Sequence, residues 1–125
     1  MLKIKVLIID DSPKKIDKLK EILNRKDMYI LDYAVTGKTA LGKIKECNYN
    51  LVILDYLLPD MKGHEIAVEI KKILNIPIIL NTVLGIDEKY NSLFSGFISQ
   101  IDNDEKIYSV IRNVLKNRNK SWRYL

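Results

Sequence analysis

Short apolar runs and longer amphipathic stretches alternate five times along this chain. Val6-Leu7-Ile8-Ile9 ends a first strand that the pattern places over residues 3–9. Pro13 suits the first turn of a helix, and Ile16, Leu19, Ile22 and Leu23 then recur at helical spacing. Residues 29–35 read as a second strand, Gly37 punctuates it, and Ala40, Leu41 and Ile44 draw a second apolar helix face. Leu51-Val52-Ile53-Leu54 is a continuous apolar run, of the kind a strand covered on both faces requires. Pro59 and Gly63 mark a loop, and Ile66, Ala67, Ile70, Ile73 and Leu74 give a third helix. Pro77 stops that helix ahead of a fourth strand at Ile78-Ile79-Leu80. A short, weak helix follows over residues 87–94, then a strand over 96–99. Ile107, Val110, Ile111, Val114 and Leu115 outline the last helix.

Strand and helix in alternation imply an α/β fold, a doubly wound five-stranded parallel sheet with helices on both faces. Right-handed crossovers restrict its topology. In such a sheet the functional groups gather at the carboxyl ends of the strands. Asp10 and Asp11 follow the first strand, Asp55 the third, Asn81 and Thr82 the fourth, and Ser99 and Gln100 the fifth. Three carboxylates on one edge repel, so at least one holds its proton unusually tightly unless a cation neutralises them. Mg²⁺ answers that need: it takes oxygen ligands and keeps water positions that a phosphate oxygen can fill. A carboxylate beside it can act as a nucleophile and become an aspartyl phosphate. Thr82 could then donate a hydrogen bond to the phosphoryl group. Each residue alone has a plainer reading, because Asp10-Asp11-Ser12-Pro13 also makes a good helix cap.

Composition narrows the picture. The 125 residues, 47% hydrophobic and 30% charged, fit one soluble domain with a single core. No stretch approaches the ~20 apolar residues of a membrane span, and a cytoplasmic setting is expected. Cys47 has no second cysteine to pair with. The net charge of +5 is uneven: Lys116, Arg118, Lys120 and Arg123 carry four of the five, leaving +1 for residues 1–115. The body is nearly neutral, so nucleic acid is not the expected partner, and the tail reads as a solvated helix end.

These residues carry a family resemblance. Val6-Leu7-Ile8-Ile9-Asp10-Asp11-Ser12-Pro13 resembles the first strand and acidic pair of response-regulator receiver domains, the CheY-like domains of two-component signalling. The segment from Leu51 through Asp55 to Gly63 looks like their phosphoacceptor strand and loop. Ile76-Pro77-Ile78-Ile79-Leu80-Asn81-Thr82 resembles their fourth strand with its hydroxyl switch residue. The resemblance implies the flavodoxin-like strand order 2-1-3-4-5 seen in flavodoxin and CheY. It implies a receiver domain over residues 1–118 and a basic tail over 119–125. It makes Asp55 the phosphoacceptor, Asp11 the main Mg²⁺ ligand with Asp10 assisting, and the Leu57 backbone carbonyl a further ligand. It gives Thr82 the phosphoryl hydrogen bond, and Phe97 the aromatic switch position on strand five. The phosphoryl group would come from a sensor histidine kinase or a phosphotransfer protein, and output would pass to a downstream protein target. Such a domain catalyses only its own phosphorylation and dephosphorylation. Homodimerisation stays open.

Two departures stand out. The family has Lys-Pro after strand five; here Gln100 and Ile101 occupy those places. A charged donor contributes about 1.5–3 kcal/mol where a neutral one gives ~1. Without proline the bond before Ile101 is expected to be trans. Lys89 and Lys106 are the substitute cations to consider. The segment from Thr82 to Phe97 is also about one helical turn shorter than is common in the family, and Gly85, Asn91, Ser92 and Ser95 are poor helix formers. A fourth helix that is short or partly unwound is expected. These departures support an alternative, a degenerate receiver acting as a phosphorylation-independent binding module. An unrelated phosphatase would need a further general base that is not evident. His64 reads as a solvated helix start, Cys47 as a small apolar residue, and Tyr56 as a group that gates or packs the pocket. Trp122 and Tyr124 are expected to pack on the last helix.

Overall fold

The apolar runs become five strands, β1 (Ile4–Ile9), β2 (Tyr29–Ala34), β3 (Leu51–Asp55), β4 (Ile78–Asn81) and β5 (Gly96–Ile98). The computed structural model describes residues 3–83 and 85–123, backbone only from 118. The packing expected of Trp122 and Tyr124 therefore lies outside the described residues. Three helices, α1 (Pro13–Asn24), α2 (Gly37–Glu46) and α3 (Gly63–Ile73), connect the first four strands, and α4 (Asp104–Arg123) follows β5. Between β4 and β5 the expected fourth helix is a single short 3-10 segment (Glu88–Leu93) with no buried residue. All four strand pairings are parallel, in the order β2-β1-β3-β4-β5.

The continuous apolar runs follow from the two-sided burial of this sheet. Successive side chains of a strand point to opposite faces. Leu7, Ile9, Val52, Leu54, Ile78 and Leu80 pack under α2, α3 and the 3-10 segment. Val6, Ile8, Leu51, Ile53, Ile79 and Ile98 pack under α1 and α4. Val6 to Ile9 are fully buried, because neither face of β1 meets water.

Local chemistry sets the helix ends. Ser12 Oγ accepts from the Lys15 N–H at 3.3 Å and Pro13 opens α1, as an N-cap and first-turn proline should. At the other end of α1, the Ile22 carbonyl accepts a 2.6 Å hydrogen bond from the buried Tyr108 hydroxyl of α4. Deleting that donor leaves a buried acceptor unpaired. Tyr108→Phe should cost about 1 kcal/mol in a urea unfolding titration; a change below the error of the fit would show that water replaces the phenol.

Candidate functional site

The register brings the acids together. β1 and β3 are hydrogen-bonded neighbours, with Ile9 opposite Leu54. Asp10 leaves the end of β1 and Asp55 ends β3, so both emerge at the same sheet edge. Asp10, Asp11 and Asp55 each offer a carboxylate oxygen, and these oxygens lie within 4.8 Å of one another. Asp10 is buried, Asp55 is half-buried and Asp11 is exposed.

Electrostatics follow from that geometry. Burial pushes the Asp10 carboxyl above the ordinary carboxylate range. The Ser12 N–H, donating to Asp10 Oδ1 at 2.9 Å, pulls it back, and repulsion from Asp55 raises it again. Burial also pushes Asp55 upward and the nearby Asp11 adds to this, while Lys15 and the amides of Tyr56 and Leu57 oppose it. Hard oxygen donors whose negative charges are crowded and poorly solvated suit a small divalent cation. The three carboxylates therefore fit the Mg²⁺ expected of such a pocket.

A cavity of about 390 Å³ opens beside the acids, lined by Asp11, Lys15, Asp55, Leu57, Thr82 and Gln100 among others. Thr82 is fixed by its own N–H, which donates to the Ile98 carbonyl at 3.1 Å across β4 and β5. Gln100 lines the same cavity but is exposed, and its backbone carbonyl accepts from Lys18 Nζ at 2.8 Å. No cis peptide occurs among the described residues, so the bond before Ile101 is trans, as expected without proline. Phe97 lies outside the cavity lining, 45% exposed and edge-on to Phe94 at 6.0 Å.

Two features escape the linear reading. Among the described residues that line the cavity, the cation is Lys15 of α1. Lys89 has its ammonium over the Tyr90 ring at 5.1 Å, and neither it nor Lys106 is among the described residues that line the cavity. A helical wheel could have found Lys15, because it stands four residues before the buried Leu19 and seven before Ile22, on the same stripe. His64, read above as a solvated helix start, is engaged on two sides. Its Nδ1 lies 2.7 Å from the Tyr56 hydroxyl, and its ring stacks on Tyr90 at 3.9 Å and 8°. Tyr90 belongs to the 3-10 segment, so this stack joins the residue after Asp55 to that segment. Cys47 packs against the core as a small apolar residue.

The loop after Asp55 is braced from two sides. The Gly63 N–H donates to the Tyr56 carbonyl at 2.6 Å. Asp60 accepts from the Gly37 and Lys38 amides at 2.8 and 2.9 Å, which places a carboxylate at the start of α2 where the helix dipole favours it. Those two amides hold its carboxyl below the usual range.

Residues 6–94 match the family model described as response regulator receiver domain. The chain is 33% identical over 81 residues to the transcriptional regulatory protein ResD of Bacillus subtilis, covering 65% of this chain and 33% of that protein. It is 33% identical over 95 residues to the regulatory protein VanRB of Enterococcus faecalis, covering 76% and 43%. It thus spans about a third to a half of the length of the curated relatives it matches. Among solved structures, a CheY-like receiver domain protein from Methanospirillum hungatei superposes with a TM-score of 0.85 at 26% identity, covering 97% of this chain and 99% of that one. A two-component response regulator from Clostridium difficile gives 0.85 at 28% identity, covering 94% and 99%. No helix among the described residues is long and apolar enough to cross a membrane.

Proposed function

We propose a function from one premise: this chain belongs to the family of response regulator receiver domains. It accepts a phosphoryl group on Asp55 from the phosphohistidine of a sensor kinase or phosphotransfer protein, and reports that state through contacts with a downstream protein in the cytoplasm. The observation that carries this reading is the meeting of three carboxylate oxygens within 4.8 Å at one strand edge, beside a cavity large enough for a phosphoryl group.

The residues divide the work. Asp55 is the nucleophile: its carboxylate oxygen bonds to phosphorus as the bond from phosphorus to the histidine nitrogen breaks. The Tyr56 and Leu57 amides favour the charged form of that carboxylate, the form that attacks. Asp10 and Asp11, with Asp55 and the Leu57 carbonyl, would hold Mg²⁺, which supplies charge neutralisation for an in-line transfer. Thr82, which lines the cavity, would donate its hydroxyl to a phosphoryl oxygen. Gln100 stands at the position of the family lysine and offers only a neutral donor.

The test is intact mass after incubation with Mg²⁺ and acetyl phosphate. One phosphate adduct is expected on the wild-type chain, and none on Asp55→Asn. A chain that binds Mg²⁺ yet takes no phosphate would favour the second reading, a binding module independent of phosphorylation. Gln100, Ile101 and the 3-10 segment in place of a full helix support that second reading.

A further inference from the structure

We propose that Lys15, on the first turn of α1, supplies the cation that pairs with the phosphoryl oxygens during transfer to Asp55, in place of the lysine that Gln100 replaces. The inference rests on the phosphoacceptor reading above. It begins from a deficit: transfer concentrates negative charge on the phosphoryl oxygens beside three carboxylates, and fixed positive charge stabilises that arrangement. Gln100 is neutral, exposed and held through its backbone by Lys18, whose ammonium is thereby engaged.

Lys15 is half-buried, which is unusual for a lysine. Among the described residues that line the cavity with Asp55 and Thr82, it is the one cation. Among the described residues no carboxylate lies within 4.0 Å of its ammonium, so it is not consumed by an ion pair. Its backbone is rigidly placed relative to the acids. Asp10 Oδ1 accepts from the Ser12 N–H, Ser12 Oγ accepts from the Lys15 N–H, and Pro13 stands between them. The flexible four-carbon stem then lets the ammonium follow the phosphoryl group. With acetyl phosphate, the new bond joins phosphorus to Asp55 oxygen, the bond from phosphorus to the acetyl oxygen breaks, and acetate leaves with that electron pair.

The experiment compares wild type, Lys15→Met, Gln100→Lys and the double variant Lys15→Met with Gln100→Lys, all as the full chain. Adduct formation from acetyl phosphate is followed by intact mass, and Mg²⁺ binding by titration calorimetry. Lys15→Met should slow phosphorylation about 10- to 100-fold and bind Mg²⁺ several-fold more tightly, because a cation that competes for the acidic cluster is gone. Gln100→Lys in that background should restore most of the rate. A purely structural lysine would not move rate and metal affinity in opposite directions. Phosphorylation of Lys15→Met within twofold of wild type would overturn the proposal while leaving Asp55 as phosphoacceptor. A wild-type chain and Gln100→Lys that both take no phosphate would overturn the phosphoacceptor reading and this proposal with it. If Lys15→Met does not fold by circular dichroism, Lys15→Gln takes its place under the same criteria.

Discussion

Asp55→Asn is expected to take up no phosphate at all and, in metal-free buffer at pH 7, to melt at a higher temperature than the wild-type chain. Both outcomes have one origin. Burial, followed by the charge of Asp11, holds the Asp55 carboxyl above its ordinary range, despite the pull of Lys15 and of two backbone amides. A carboxyl whose folded value exceeds its unfolded value binds its proton more tightly in the native state. Its contribution to stability is complete below the unfolded value of about 3.9, and is lost as pH rises through the higher folded value. At pH 7 the wild-type pocket therefore holds an unfavourable crowd of charge. Asparagine keeps the shape and removes that charge along with the proposed nucleophile. The gain should be roughly 0.5–2 kcal/mol, or about 2–8 °C for a domain of this size. It should shrink as the pH is lowered towards 4, because the raised carboxyl takes up its proton before an ordinary one does. Mg²⁺ should raise the melting temperature of the wild type more than that of the variant. Calorimetry with and without the metal, at both pH values, checks each part. A variant less stable than wild type in metal-free buffer at pH 7 would mean that Lys15 already satisfies Asp55.

Gly63→Ala should give the second large effect, a loss of about 1–3 kcal/mol typical of overpacking, together with slower phosphorylation. A Cβ at Gly63 would stand 2.9 Å from Tyr56 Cα and 3.3 Å from the Tyr56 carbonyl oxygen. That neighbour is backbone, one residue after Asp55, so the methyl can be housed only by moving the start of α3 or the loop that follows Asp55. Gly37 makes a useful control. A Cβ there would meet Met61 Sδ at 2.6 Å, but a thioether side chain can swing aside, so Gly37→Ala should be much milder. Urea unfolding of the two variants, with their adduct rates, tests the difference. Equal losses would show that the approach of α3 to Tyr56 is not the constraint.

The element order was legible because burial on both sheet faces demands unbroken apolar strands, and amphipathic helices must cover them. Val6-Leu7-Ile8-Ile9 and Leu51-Val52-Ile53-Leu54 carry that demand openly. The three acids were legible for the same reason: a polar residue directly after a buried strand has to emerge at its end. The weak segment before β5 showed itself through Gly85, Asn91, Ser92 and Ser95, and it became a 3-10 turn.

Tertiary structure decided the remainder. Parallel pairing of β1 with β3 brings Asp10 to Asp55 across 45 residues of chain; the alternation of elements put both acids on one sheet edge, and only the resemblance to known receivers anticipated that β1 and β3 are neighbours. The stack of His64 on Tyr90 joins two segments with no local signal in common. It exists because the 3-10 segment packs against α3. Lys15 shows the division most sharply. Its helical stripe was readable, but whether that stripe ends in solvent or over a carboxylate depends on how α1 crosses the sheet. That crossing is set by Ile16, Leu19, Ile22 and Leu23 meeting strands and α4 from elsewhere in the chain. Periodicity determines which residues share a face, whereas the packing of distant segments determines what that face meets.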